Sequence, residues 1–324
     1  MLVIAAAAAC AGGDTAGSRA VVAGAPATTA APVTTVAAAP ATTVAPGPGV
    51  AEPEPPPAPA YLPAGVHEHQ LDVDGVRRRW TTVVPAGERR TGLVVVLHGV
   101  GGRGLDMRSV GFDPLGEASG VVMAYPDAHG GAWNDGRPGA DPVVPGPPVD
   151  DGRFLGLVID ETVARTGADG GRVAIVGFSS GAVMASRLAC DRADRVGAIA
   201  LVAGTAGQGF EQSCRPARPM AVLMVAGASD AIVPYAGGRI ANWGTRRRGH
   251  VAGVEELFSF WRAQNDCRSS HTVGAEARGT DCRSGHAVVR YRVTGGVHEW
   301  YKPPRFDTTV VVWEFLMRRF SSIP

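Results

Sequence analysis

Arg172-Val173-Ala174-Ile175-Val176-Gly177-Phe178-Ser179-Ser180-Gly181-Ala182 is the stretch of this 324-residue chain whose reading decides the fold. The run ending at Val176 is apolar and short enough for one buried strand, and Ala182 to Ala193 reads as a helix. Between them, Gly177-Phe178-Ser179-Ser180-Gly181 satisfies G-x-S-x-G in the strand–turn–helix setting that a nucleophile elbow requires. Glycines on either side let the backbone take a strained turn that lifts a hydroxyl clear of the sheet. The plainer reading is a Gly/Ser turn with Ser179 as a helix N-cap. The strand, the helix and the residues downstream favour the nucleophile.

Two later strands end in residues that complete such a site. Met220 to Val225 reads as a buried strand, followed by Ala226-Gly227-Ala228-Ser229-Asp230. Ala287 to Thr294 alternates like another strand and runs into Gly295-Gly296-Val297-His298. Open α/β sheets place their sites beyond the carboxyl ends of strands, so Ser179, Asp230 and His298 are expected to converge there. A serine hydroxyl is a poor nucleophile until an imidazole takes its proton, and a carboxylate fixes the imidazole tautomer.

An oxyanion hole has a candidate as well. Leu93-Val94-Val95-Val96-Leu97 leads into His98-Gly99-Val100-Gly101-Gly102. The backbone N–H groups of Val100 and Ser180 are the expected donors, and His98 is expected to support the loop. A phosphate cradle is excluded, since no Gly-Lys-Ser/Thr follows and the chain has a single lysine, Lys302. The glycine spacing does not fit a dinucleotide fingerprint either.

From about Tyr61 onward the chain resembles the secreted esterases grouped as polyhydroxybutyrate depolymerase and feruloyl esterase-like proteins, lipoprotein branch included. The stretches that carry the resemblance are LVVVLHGVGG (93–102), AYPDAHGGAWNDGR (124–137), VDDGRFLGLVID (149–160), GFSSGAVMASRLAC (177–190), GASDAIVPYAGG (227–238) and GGVHEW (295–300). The resemblance implies an α/β-hydrolase fold: a mostly parallel central sheet with helices on both faces. It also implies Ser179 as nucleophile, Asp230 as orienting acid, His298 as general base, and Val100 and Ser180 as oxyanion donors. The chain departs from the family pattern at Val100, Ala182, Ala226 and Val297. An oxyanion donor is a backbone group, so Val100 leaves it intact.

Five cysteines are present. Setting Cys10 aside leaves Cys190, Cys214, Cys267 and Cys282, which allow three pairings. The resemblance favours Cys267–Cys282, closing the loop before the strand that leads to His298, and is compatible with Cys190–Cys214. No Cys-x-x-Cys spacing suggests zinc.

The ends of the chain read differently from its body. Leu2 to Ala9 is apolar and meets Cys10 after small residues, like a truncated signal segment with a lipobox; it is too short to span a bilayer. Residues 11–60 are Ala, Pro, Thr, Gly and Val with four charges, an extended linker that cannot form an apolar face. Residues 61–324 read as one catalytic domain. A net charge of +1 gives no argument for nucleic acid. Arg77-Arg78-Arg79 and Arg246-Arg247-Arg248 read as solvated faces.

The remaining elements fit the same sheet. His69–Asp74 and Val76–Val84 read as an opening hairpin and Val121–Tyr125 as a further buried strand. Phe154, Leu157 and Val158 mark one helix, Val254 to Gln264 another, and Val310, Trp313, Met317 and Phe320 the last. The Gly/Pro-rich loop 126–148 carries Trp133, which with Trp300 is a candidate substrate contact; such tryptophans also commonly close a core. Asp150 and Asp151 read as helix-start acids rather than a glycosidase pair. His67-Glu68-His69 lacks a third metal ligand and reads as surface.

The expectation is therefore an exported serine carboxylesterase acting on short-chain, aryl or hydroxyalkanoate esters, with no metal and no organic cofactor. Its partner is the ester substrate, and its membrane contact is at most a lipid on Cys10. The rival readings are a cell-envelope acyltransferase on the same three residues and a non-catalytic surface-binding lipoprotein.

Overall fold

The computed structural model describes residues 61–323 apart from 88, 143, 145–147 and 243–244. The expected signal segment, Cys10 and the linker lie outside the described residues. Two strands open the fold, β1 (Gly65–Val73) and β2 (Val76–Val84). They pair antiparallel about Asp74-Gly75, both at positive φ (51° and 79°), the backbone that a two-residue hairpin turn demands.

Strands and helices then alternate: β3 (Gly92–Leu97), α1 (Phe112–Ser119), β4 (Val121–Pro126), α2 (Asp151–Thr166), β5 (Val173–Phe178), α3 (Ser180–Asp191), β6 (Ala198–Val202), the short α4 (Phe210–Ser213) and β7 (Ala221–Gly227). A two-strand ladder follows, β8 (Gly238–Arg239) with β9 (His250–Val251), before α5 (Val254–Gln264). The chain closes with β10 (Cys267–Val273), β11 (Glu276–Cys282), β12 (Val288–Val293) and α6 (Thr308–Ser321).

Ten strands form one sheet in the order β1-β2-β4-β3-β5-β6-β7-β12-β11-β10. From β4 to β12 every neighbouring pair is parallel, while the β1–β2 and β10–β11 edges are antiparallel. Strands β4 and β5 lie on opposite sides of β3, so the strand order reverses there and opens a crevice at the carboxyl ends.

The sheet is covered on both faces, which is why its central strands are continuously apolar. Leu93, Val95 and Leu97 of β3 join one core with Phe154 of α2, Met184 of α3 and Trp261 of α5. Val94 and Val96 point the other way, into a second core with Phe112 of α1 and Leu316 of α6. Alternate residues of one strand thus hold two layers of helices.

Three expectations are corrected. The segment from Cys267 to Cys282 is not a loop but a hairpin that extends the sheet; its exposed side chains lack the apolar alternation that marks a strand. The β1 strand begins at Gly65, earlier than its sequence suggests, for the same reason. Arg78 is not surface: its side chain is 2% exposed and pairs with Asp151 at 2.5 Å. The expected disulfides Cys190–Cys214 and Cys267–Cys282 are both formed. Among the described residues no helix is long and apolar enough to cross a membrane.

Candidate active site

The elbow forms at the end of β5. Ser179 has φ 55° and ψ −119°, a left-handed conformation that a residue with a Cβ adopts only when its surroundings enforce it. Its N–H donates to Val202 O at 2.9 Å, tying the turn to β6. The glycines are required by space: a Cβ on Gly177 would sit 2.2 Å from Gly181 O, and one on Gly181 would sit 2.4 Å from Leu97 O. Gly204, not singled out from sequence, serves the same turn, since its Cβ would lie 2.5 Å from Ser179 O.

Three side chains from three strand ends meet here. His298 Nε2 lies 2.9 Å from Ser179 Oγ, and His298 Nδ1 lies 2.8 Å from Asp230 Oδ2. A carboxylate only accepts, so Nδ1 carries the proton and Nε2 is left to accept from the serine hydroxyl. The other oxygen of Asp230, Oδ1, accepts from the N–H groups of Ile232 (2.8 Å) and Val233 (2.9 Å), which fixes its orientation. The Asp230 side chain is 2% exposed and that of His298 12%, so the relay is sheltered yet reachable. Tyr301, missed from sequence, donates its hydroxyl to Val297 O at 2.5 Å and so braces the turn that presents His298.

The glycine-rich loop after β3 faces Ser179. Val100 and Ser180 both line the cavity in front of the serine. Ser180 is the first residue of α3, where an N–H has no intrahelical partner. Among the described residues, the Val100 N–H donates to no backbone group either. Two uncommitted N–H groups therefore flank the serine.

The loop is held from behind by His98, which is 1% exposed. Its Nε2 accepts from Ala128 N–H at 3.0 Å and its Nδ1 donates to Gly99 O at 2.7 Å. Burial holds the imidazole pKa below its ordinary value, so the ring stays neutral, as the accepting Nε2 requires.

The two tryptophans do not take the places expected of them. Trp133 is 5% exposed and lies outside the cavity; its Nε1 donates to His98 O at 2.8 Å, so it props the loop instead of contacting substrate. It is anchored in turn by its neighbour Asn134, whose N–H donates to Asp151 Oδ2 at 2.6 Å. Trp300 donates to Thr309 Oγ1 and packs edge-on to Phe112 and Phe178, also outside the cavity lining.

The cavity holds about 320 Å³. Its walls include Phe178, Ile232, Val233 and Ile240, and also Arg137 and Arg248. Arg248 was read from sequence as part of a solvated face; its place in this wall corrects that. The sequence signal was weak because the two arginines come from separate loops. Among the described residues no cluster of three or more His, Cys, Asp or Glu is placed to hold a metal.

No family model matches the chain. It is 30% identical over 226 residues to "Putative esterase NocK" of Nocardia uniformis subsp. tsuyamanensis, covering 64% of this chain and 65% of that protein. It is 26% identical over 189 residues to "Feruloyl esterase B" of Piromyces equi, covering 55% of this chain and 34% of that one. The chain thus spans less than two thirds of either relative. Among solved structures, an acetyl xylan esterase from Aspergillus awamori superposes with TM-score 0.52 at 15% identity, over 77% of this chain and 99% of its own. A Pyrobaculum calidifontis esterase does so with TM-score 0.50 at 16% identity, over 81% and 86%. With the strand order described above, these neighbours show that the chain has the α/β-hydrolase fold.

Proposed function

We propose that the protein is a serine carboxylesterase. The observation that carries this reading is the continuous relay Ser179–His298–Asp230, at 2.9 and 2.8 Å, beside two uncommitted N–H groups. His298 Nε2 takes the hydroxyl proton as Ser179 Oγ attacks the ester carbonyl carbon. The carbonyl electron pair moves onto oxygen, which the N–H groups of Val100 and Ser180 stabilise. Collapse of the tetrahedral intermediate expels the alcohol, which receives the proton from His298. Water, deprotonated by the same imidazole, then attacks the acyl-serine and releases the acid. Asp230 holds the tautomer and offsets the imidazolium charge throughout.

The names of the two similar proteins, both esterases, support the ester bond as the target. A cavity of about 320 Å³ is near the lower end for small-ligand sites and suits a short-chain, aryl or hydroxyalkanoate ester. Within this proposal the protein acts outside the cytoplasm, tethered through Cys10. Two disulfides support that placement, because such bonds persist in oxidising compartments.

The test is p-nitrophenyl butyrate hydrolysis by the full chain beside its Ser179→Ala variant, with fluorophosphonate labelling of both. We expect kcat/KM to fall by about 10³-fold or more in the variant, and the label on the wild type alone. A wild type as slow as the variant and unlabelled would overturn the esterase reading.

A further inference from the structure

One wall of the catalytic cavity is apolar and is fixed from behind. Phe178, Ile232, Val233, Ile240 and Ala241 line the cavity beside Ser179 and His298. All but Phe178 come from the segment that follows Asp230. Ile232 and Val233 give their N–H groups to Asp230 Oδ1, so the acid that orients His298 also holds the start of this wall. Ala241 N–H donates to Ile232 O at 2.9 Å and closes the segment on itself. Ile240 N–H donates to Gly249 O at 3.0 Å, which carries the β8–β9 ladder one step further. The ladder is tied in turn to the segment after β6, where Ala252 N–H donates to Ala206 O at 2.9 Å and Gln208 N–H to His250 O at 3.1 Å.

The side chains of this wall lie at different depths. Ile232 is 45% exposed and stands at the mouth, whereas Val233 is 7% and Ile240 4% exposed. The two buried ones form a small apolar cluster with Val183 of α3 and Val251 of β9. Val183 and Val251 do not line the cavity, so Ile240 stands between the cavity and the cluster. It has nowhere to retreat, because moving aside would push it into space those valines already fill, and close-packed interiors resist added volume. An apolar limb of a substrate gains by burial until it meets this wall. A longer limb must draw the reacting carbonyl away from Ser179, and a misplacement of about 1 Å can cost roughly a hundredfold in rate.

We propose that Ile240 is a specificity-determining residue: it sets the length of the apolar limb, acyl or alcohol, that the cavity accepts while Ser179 meets the carbonyl. This rests on the esterase reading above and narrows its substrate class to esters with one short apolar limb. The reaction is unchanged in its atoms, with water consumed and an acid and an alcohol released. Ile240 touches the limb and takes no part in moving the proton.

The test compares matched ester pairs on the full chain. The acyl arm sets p-nitrophenyl octanoate against p-nitrophenyl butanoate; the alcohol arm sets 4-butylphenyl acetate against phenyl acetate. Each variant is scored by its own long-to-short ratio of kcat/KM, which a general loss of activity does not move. We expect a wild-type ratio of about one tenth or less in one arm, rising about tenfold or more in Ile240→Ala, since misfit in an apolar pocket discriminates by roughly 10–200-fold per methylene. Truncating a buried side chain also costs stability, so Ile240→Val, one carbon smaller, is measured beside it and should move the same ratio in the same direction by a smaller factor. Wild-type ratios of one or more in both arms, with the short esters hydrolysed, overturn the length limit and leave the esterase standing. A low ratio that neither variant raises overturns the role of Ile240. If no ester is hydrolysed, the esterase reading fails and calorimetric titration of the same intact esters decides: a preference for the short limb that Ile240→Ala removes supports the wall, and equal binding or none overturns it.

Discussion

Tyr301 sits where a hydroxyl has little freedom. Gly227 and Gly296 make room for it, since a Cβ on either would lie 2.4 and 2.7 Å from its oxygen. Burial, followed by the nearby Asp230 charge, pushes its pKa up to about 12. The group therefore stays protonated and donates to Val297 O, one residue before His298. Removing the hydroxyl in Tyr301→Phe should loosen the His298 turn without touching the substrate. We expect kcat to fall by about tenfold with KM little changed, short of the roughly hundredfold that a 1 Å misplacement can cost. An unchanged kcat in steady-state hydrolysis would show that the turn holds His298 without it.

At the scale of elements, the loop after β3 depends on a chain of support that begins well outside the site. Arg78 of β2 pairs with Asp151 of α2, Asp151 accepts from Asn134 N–H, and Trp133 donates to His98 O. His98 is the titratable link. The unfolded chain takes up a proton near pH 6.5, while buried His98 takes one up only at lower pH. Between those values the unfolded state binds more protons, so the contribution of His98 to stability is complete above about pH 6.5 and is lost as pH falls toward its folded pKa. His69 and His286 are also lowered by burial and act with the same sign, so the comparison must be made against a single variant. Thermal unfolding from pH 7 to 5 should show stability falling more steeply in wild type than in His98→Gln, by up to about 1.4 kcal/mol per pH unit. Parallel curves would mean that His98 takes up its proton equally in both states.

The same scale explains what the sequence disclosed. Strands β3, β4, β5 and β7 were legible because both faces are buried and their runs are continuously apolar. Ser179 and Asp230 stand out because each follows such a strand, and His298 because it follows the alternating β12. The β10–β11 hairpin was not, because an exposed edge imposes no hydrophobic period. Arg78 was misread for a related reason: in a triplet of arginines, local composition says solvent, and only tertiary partners decide which member is buried. Trp133 was placed near the site correctly in sequence but behind the loop in space, since an indole closes a core as readily as it walls a pocket.

For the whole molecule, the two disulfides divide by what they staple. Cys190 ends α3, the helix that starts at Ser180, and its partner Cys214 is 2% exposed beside α4. Cys267–Cys282 joins two edge strands whose side chains are largely solvent-facing. Closing loops with sequence separations of 24 and 15 restricts the unfolded chain by similar amounts, about 3 kcal/mol each in the chain-entropy account. The native states differ more than the loops do. The β10–β11 hairpin makes few core contacts and can open locally, so its bridge protects a local equilibrium, whereas α3 packs Met184, Ala185 and Leu188 into the first core and cannot open alone. We therefore expect Cys190→Ala/Cys214→Ala to lower Tm by about 10 °C, taking roughly 2–4 °C per kcal/mol for a domain of this size. Cys267→Ala/Cys282→Ala should move Tm by only a few degrees but render the hairpin sensitive to limited proteolysis. Calorimetry and trypsin digestion of the two double variants separate these outcomes. Equal losses of Tm would mean that the edge hairpin unfolds with the whole sheet and is part of a single cooperative unit.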